Sequence, residues 1–349
     1  MILINIMERK TTETNDILLS VCLVTYNHEF FIEKVIDNVI NQVTSFTFEL
    51  VIGEDCSTDK TREICERYQE KHPDIIRLLP SEKNLGLKEN FLRTFGECKG
   101  KYIAYLEGDD YWLSADKLQK QVDILEADIS ISLVHTNCKL WDVANNKITD
   151  SLIFTENVCI RERNSGIENI IAEFEGNFRP MKTSSCCYRK NILEEILVED
   201  EFAFRNSDFP TQDFQLFLEM SMKGKFAFIP EEMTMIGFHN SLSAAPEEEK
   251  QINYRLGFFK IGIYYIQKYN LPQQTIQIFV RRQLNYLLNK AFKNRDKTLA
   301  RIVKEKADLV CYKMPATQSL LAKGTNSKIF RIFIYPFWLF LDKKRNRKP

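Results

Sequence analysis

From Ile17 to Asp110, short and almost continuous apolar runs alternate with segments whose apolar residues recur every three to four positions. The first run, "ILLSVCLVTYN" (Ile17 to Asn27), is rich in β-branched residues and reads as a strand buried on both faces. "HEFFIEKVIDNVINQ" follows, with Phe31, Ile32, Val35, Ile36, Val39 and Ile40 at helical spacing. "FELVIGEDCS" is a second strand. "STDKTREICERYQEKHP" is a second helix, with Ser57 or Thr58 as its cap, Ile64, Cys65 and Tyr68 as its inner face and Pro73 as its stop. "IIRLLPS" and "LKENFLRTFGECKG" repeat the strand–helix pair, and "KYIAYLEGDD" is a fourth strand. Four strands joined by helices through short connections predict an α/β fold, a mostly parallel Rossmann-like sheet flanked by helices.

Ligands of open α/β sheets bind beyond the carboxyl ends of the strands. Acids and amides gather at those ends: Thr25, Tyr26 and Asn27 after the first strand, Glu54 and Asp55 after the second, Asn84 after the third. Glu107, Asp109 and Asp110 follow the fourth. A cluster of carboxylates repels itself unless a cation offsets the charge. Hard oxygen ligands completed by phosphate oxygens suit Mg²⁺ or Mn²⁺, so this acidic corner predicts a divalent cation holding a diphosphate.

Later segments change character. "ISLVHTNCKLWDV" reads as a strand, and "EGNFRPMKTSSCCYRKNIL" as a loop, a short strand and a helix start. "SDFPTQDFQLFLEMSMKGKFAFIPEEMTMIGFH" holds a helix from Phe214 to Lys223, a strand to Ile229 and another toward His239. Residues 245–325 are helical in pattern, two long stretches joined at "LPQ", and no internal repeat is evident.

Composition narrows the function classes. With 44% hydrophobic and 28% charged residues the chain is an ordinary globular one. Lys+Arg and Asp+Glu both number 48, and the missing basic excess weighs against a nucleic-acid partner. Nine cysteines without C-x-x-C spacing and four histidines without zinc-ligand spacing predict reduced core thiols. The tail 1–16 does not read as a signal peptide, since Glu8 and Arg9 follow a short apolar piece.

"SVCLVTYNHEFFIEKVIDNVINQ", "ELVIGEDCSTDKT", "NLGLKENF" and "GKYIAYLEGDDYWLSADKLQKQV", in this order, resemble the family 2 glycosyltransferases. The resemblance covers Ile17 to Ala244 and implies the A-type glycosyltransferase fold over 17–244, with 245–325 as a C-terminal helical appendage. It implies an inverting, metal-dependent transfer from a nucleotide-sugar, a UDP-sugar, to a glycan or lipid-linked acceptor in cell-surface polysaccharide synthesis. The family's acidic motif is Asp-x-Asp; here Glu107 holds its first position.

Carried over by position, the resemblance gives Val24, Thr25, Tyr26, Asn27 and Asp55 the nucleobase and ribose, with Glu54 assisting. It places Asn84 and Lys88 in the nucleotide pocket and Glu107 toward the ribose. Asp109 or Asp110 holds the metal, and His239 contributes to the metal or diphosphate. Asp213 matches the catalytic base; without the resemblance it reads equally as a helix cap. Thr183, Ser184 and Arg189 fall on the acceptor side. Trp112 either stacks on a sugar ring or packs in the core.

A sugar-phosphate nucleotidyltransferase would need a Gly-rich loop after the first strand, and a dinucleotide oxidoreductase a G-x-G-x-x-G; "VTYNHEFF" has no glycine. A catalytically inactive nucleotide-sugar-binding module is the remaining alternative, opposed by the acids at 55, 109 and 213. In the segment 326–349, Ile329 to Leu341 is apolar and aromatic, and Lys343, Lys344, Arg345, Arg347 and Lys348 follow. It is too short to span a bilayer and fits an interfacial segment on anionic lipid, against packing on protein. The expected location is the cytoplasm, peripheral on the cytoplasmic face of the membrane.

Overall fold

A computed structural model describes residues 17–143, 145–149, 166–176, 181–238 and 248–327. The tail 1–16, His239 and the apolar and basic stretch from 328 onward lie outside the described residues.

The four apolar runs are strands β1 (Leu19–Thr25), β2 (Phe48–Glu54), β3 (Ile76–Pro80) and β4 (Tyr102–Glu107). Every residue of β1 is buried, because β2 and β4 pair with it in parallel and helices cover its faces. The register sets Thr25 beside Glu54 and Val24 beside Glu107, so three strand ends finish level. Helix α1 (Ile32–Ile40) buries Ile32, Val35, Ile36 and Val39, the stripe its spacing predicts. Helix α2 (Thr61–Lys71) begins at Thr61, later than the sequence suggests. Ser57 and Thr58 do not cap it; they bond to Asn27 across the neighbouring loop. Helix α3 (Leu87–Glu97) lies directly on β2: a Cβ on Gly53 would sit 1.8 Å from the Thr94 Oγ1. Only a residue without a side chain admits that approach.

Beyond β4 come the two-residue β5 (Tyr111–Trp112), α4 (Lys117–Ala127), β6 (Ile131–Asp142), β7 (Lys147–Thr149) and α5 (Ile167–Glu175). A 3₁₀ turn at Thr183–Ser185 leads into β8 (Cys186–Arg189), then α6 (Lys190–Glu199), α7 (Glu201–Arg205), α8 (Asp213–Lys223) and β9 (Lys225–Phe238). The two strands expected on either side of Pro230 are one, β9, whose register against β6 skips Pro230 and Glu231. A bulge of this kind interrupts pairing without ending a strand.

Sheet order is β3-β2-β1-β4-β8-β6-β9-β5, with β7 on β6. From β1 the chain runs outward to β2 and β3, then returns to place β4 on the other side of β1. That reversal opens a crevice at the carboxyl ends of β1 and β4.

The chain divides into two compact units. The first carries the sheet. The second comprises 171–176, 207–211 and the helices α9 (Glu248–Lys268), α10 (Gln273–Asn294), α11 (Lys297–Asp308) and α12 (Ala316–Asn326). The second helical stretch breaks at Arg295, whose φ is +58°, and Asp296 then caps α11 by accepting from the Leu299 amide at 2.8 Å. The described cysteines are free thiols. No described helix is long and apolar enough to cross a membrane.

Candidate functional site

Three loops at the carboxyl edge lock to one another through backbone and polar groups. The Asp55 amide donates to the Thr25 carbonyl at 3.0 Å. The Asp55 carboxylate, buried, accepts from the amides of Leu85 and Gly86 at 2.7 and 2.9 Å, which fixes the β3–α3 loop against β2. Asn27, with φ +55°, donates its amide to Ser57 Oγ at 3.0 Å and accepts from the Thr58 amide at 2.8 Å. These ties leave an open cavity of about 330 Å³ lined by Val24, Thr25, Tyr26, His28, Asp55, Asn84, Gly86, Leu87, Asn90, Glu107 and Asp109.

The acidic corner closes one side of that cavity. The Gly108 amide donates to the Val24 carbonyl at 2.9 Å, pulling the turn onto β1. A Cβ at Gly108 would lie 2.5 Å from both Thr25 Oγ1 and His28 Nδ1, so the close approach requires glycine. Carboxylate oxygens of Glu107, Asp109 and Asp110 lie within 4.8 Å of one another. Burial first, then the charges of Asp109 and Asp213, push the Glu107 carboxyl up to about 7, against the opposing pull of Lys182. The Tyr105 hydroxyl donates to Glu107 Oε1 at 3.4 Å, and the Glu107 amide donates to Ser184 Oγ at 3.2 Å. Asp110 is raised well above the usual carboxylate range by burial, then by Asp109 and Glu107. Its Oδ1 accepts from the Gly237 amide at 2.8 Å.

Asp213 is the first residue of α8 rather than its cap: Gln212 holds the cap position, and Asp213 Oδ1 accepts from the Phe214 amide at 2.8 Å. Burial raises the Asp213 carboxyl, and Lys182 opposes the rise. The charge of Asp213 is felt at Glu107 and Tyr105, so α8 brings this acid within electrostatic reach of the acidic corner. Three mutually repelling carboxylates with hard oxygen donors, Glu107 and Asp109 among the lining of an open cavity, are a donor set that fits Mg²⁺ or Mn²⁺.

Several residues singled out in the sequence lie elsewhere. Trp112 is 1% exposed, donates Nε1–H to the Ser184 carbonyl at 3.0 Å, and carries the Lys117 ammonium 4.4 Å from its ring centre. It is core, with no face left for a sugar. Arg189 pairs in register with Tyr102 at the opposite end of β4. It donates there to the carbonyls of Ile131, Leu125 and Asp128, so it does not reach the acceptor side. Glu54 is fully buried and paired, with Arg62 Nε at 2.6 Å and the Ser57 amide at 2.6 Å, and it does not line the cavity. Asn27 and Lys88 also stand outside the lining; the Lys88 Nζ donates to the Asn206 carbonyl at 3.1 Å. Thr183 Oγ1 approaches Glu107 Oε1 at 3.5 Å, and Ser184 supports the corner from below rather than opening onto it. His28 and Asn90 also line the cavity; they stand inside the segments "SVCLVTYNHEFFIEKVIDNVINQ" and "NLGLKENF" that carry the resemblance, which assigns them no role. His28 was legible only as the residue after the Asn27 turn.

The model of the family described as Glycosyl transferase family 2 matches residues 20–197, about half of the chain. An uncharacterized protein of Mycobacterium tuberculosis is 36% identical over 108 residues, which are 31% of this chain and 31% of that one. The chain thus matches about a third of the length of the first curated relatives. An uncharacterized glycosyltransferase of Haemophilus influenzae is 26% identical over 235 residues, 67% of this chain and 69% of the relative. Among solved structures, S. aureus TarS 1-349 in complex with UDP-GlcNAc superposes with a TM-score of 0.59 at 16% identity, covering 90% of each chain.

Proposed function

The chain belongs to glycosyl transferase family 2 and has the A-type glycosyltransferase fold, and from that premise we propose that it is an inverting, metal-dependent glycosyltransferase. Its donor is a nucleotide-sugar, a UDP-sugar. Its acceptor is a glycan or lipid-linked glycan of cell-surface polysaccharide synthesis. The observation that carries the proposal is the convergence of Asp55, Asn84, Glu107 and Asp109 on one open cavity, with Asp213 electrostatically joined to Glu107.

Asp55 and Asn84 hold the base and ribose from the loop that Asp55 itself fixes. Asp109, half-buried and facing the cavity, with Glu107 beside it, would hold Mg²⁺ or Mn²⁺. Asp110 is buried and already bonded to the Gly237 amide, which favours Asp109 as the ligand. Bound there, the cation supplies charge stabilisation for the departing nucleoside diphosphate. Asp213 takes the proton of the acceptor hydroxyl as its oxygen bonds to the anomeric carbon and the bond from that carbon to the diphosphate oxygen breaks. One displacement inverts the centre. A carboxyl raised by burial is a better proton acceptor than an ordinary aspartate, which suits this step.

Hydrolysis of a panel of nucleotide-sugars, with and without a glycan acceptor, tests the proposal. Asp213→Asn should lower transfer by about 10²- to 10⁴-fold while UDP still binds. Wild-type turnover in that variant would remove Asp213 as the base.

A further inference from the structure

In the nucleotide-sugar reading, on which the role of His28 rests, the nucleoside diphosphate fills the cavity with its phosphates toward Glu107 and Asp109. Three of the described lining residues are carboxylates, Asp55, Glu107 and Asp109, and none is Lys or Arg. The lining thus offers a phosphate no cationic stem. Its side-chain nitrogens are those of His28, Asn84 and Asn90. Asn90 is turned to the sheet: its Nδ2 donates to the Gly53 carbonyl at 2.8 Å and its Oδ1 accepts from Arg93 at 2.8 Å. Asn84 comes from the β3–α3 loop, which Asp55 holds against β2. His28 stands beside the acidic turn itself: a Cβ on Gly108, between Glu107 and Asp109, would lie 2.5 Å from the His28 Nδ1.

The chain fixes this imidazole from several sides. The left-handed turn at Asn27, with φ +55°, brings His28 back over the strand end, and its Nδ1 lies within hydrogen-bond distance, 3.2 Å, of the buried Thr25 Oγ1. The His28 amide donates to Thr61 Oγ1 at 2.8 Å, and its carbonyl accepts from the amides of Phe31 and Ile32, both at 2.9 Å. With the Thr25 hydroxyl donating to Nδ1, the ring carries its proton on Nε2, which makes Nε2 a donor.

We propose that His28 is a donor-binding residue, whose imidazole Nε2–H donates a hydrogen bond to a phosphate oxygen of the nucleoside diphosphate while Nδ1 is held by Thr25. A hydrogen bond to an ionised oxygen is about twice as strong as one between neutral groups. The ring reaches the phosphates because glycine at 108 lets the acidic turn close onto it.

The experiment measures uridine and UDP dissociation constants by calorimetry in Mn²⁺ on the wild type and on His28→Ala, His28→Asn and His28→Gln. The quantity read is the ratio of the uridine constant to the UDP constant. Asparagine places its amide near the position of Nδ1, and glutamine places its amide near that of Nε2. His28→Ala and His28→Asn should lower the ratio by about tenfold or more, as loss of a hydrogen bond to a charged group does, and His28→Gln should recover most of it. Uridine binding should stay within about twofold in all three, which also reports that they fold. A ratio unchanged in His28→Ala overturns the proposal. So does recovery by asparagine and not by glutamine, which would make His28 a support for Thr25 alone. Mn²⁺ affinity without nucleotide, read from the electron paramagnetic resonance of the free ion, should match the wild type in His28→Ala. A loss there equal to the loss of UDP affinity would put the effect at the acidic corner and overturn the phosphate contact. A wild type that binds neither uridine nor UDP overturns the donor assignment itself, an outcome distinct from failure at His28.

Discussion

Replacing Asp55 by asparagine isolates what a buried carboxylate does at this site. Asp55 is 2% exposed, and each of its oxygens accepts from a different backbone amide, Leu85 at 2.7 Å and Gly86 at 2.9 Å. An asparagine has one carbonyl oxygen and one NH₂, so it can keep only one of the two. The other amide then faces a donor in a place water reaches poorly. Loss of a hydrogen bond to a charged acceptor costs about 1.5–3 kcal/mol. The loop that carries Asn84 should therefore loosen by about 2 kcal/mol. Urea unfolding followed by tryptophan fluorescence should show a loss of at most that size, because a loop that opens locally does not pass its whole cost to global unfolding. UDP affinity should fall by about tenfold or more, since about 1.4 kcal/mol is a factor of ten. A solvated loop acid would behave differently: surface substitutions usually stay within about 0.5 kcal/mol. An Asp55→Asn protein with stability inside that margin and unchanged UDP affinity would refute the reasoning.

Burial and the neighbouring charges of Asp109 and Asp213 push the Glu107 carboxyl up from its ordinary 4.5 to about 7, so the folded state binds that proton more tightly than the unfolded chain does. Stability measured in EDTA should accordingly fall as pH rises from about 4.5 to 7, with Asp110 acting in the same direction; Glu107→Gln should flatten the slope, and a slope of opposite sign would contradict the assigned shift. Removing Lys328 to Pro349 should release the protein from vesicles containing anionic lipid, and equal partitioning of both forms would favour packing on protein over membrane contact.

The parallel half of the sheet was legible because both of its faces are buried, and β1, β2 and β4 then read as almost continuous apolar runs. The same logic put the acids on one edge, since strands in parallel register end together. What was not legible depends on direction rather than type. Trp112 comes after the acidic turn in sequence, yet the two-residue β5 pairs with β9 and turns its indole into the core. Arg189 sits in a polar segment, but antiparallel pairing with β4 carries it to the far end of the sheet. Glu54 and Asp55 are neighbours with alternating faces, so one pairs with Arg62 while the other lines the cavity. The break at Arg295 had a visible signal, an Asn-Arg-Asp run with a capping acid, inside an otherwise continuous helical pattern.

Metal dependence of donor binding is the property on which the function of this site turns. Calorimetry of UDP binding should be carried out with Mn²⁺ and again in EDTA, on the wild type and on Asp109→Asn. The expected result is tight binding by the wild type only with the metal, and loss of that metal dependence in Asp109→Asn. Equal UDP affinity with Mn²⁺ and in EDTA would contradict the assignment of the Glu107–Asp109–Asp110 corner as the place where a cation meets the diphosphate.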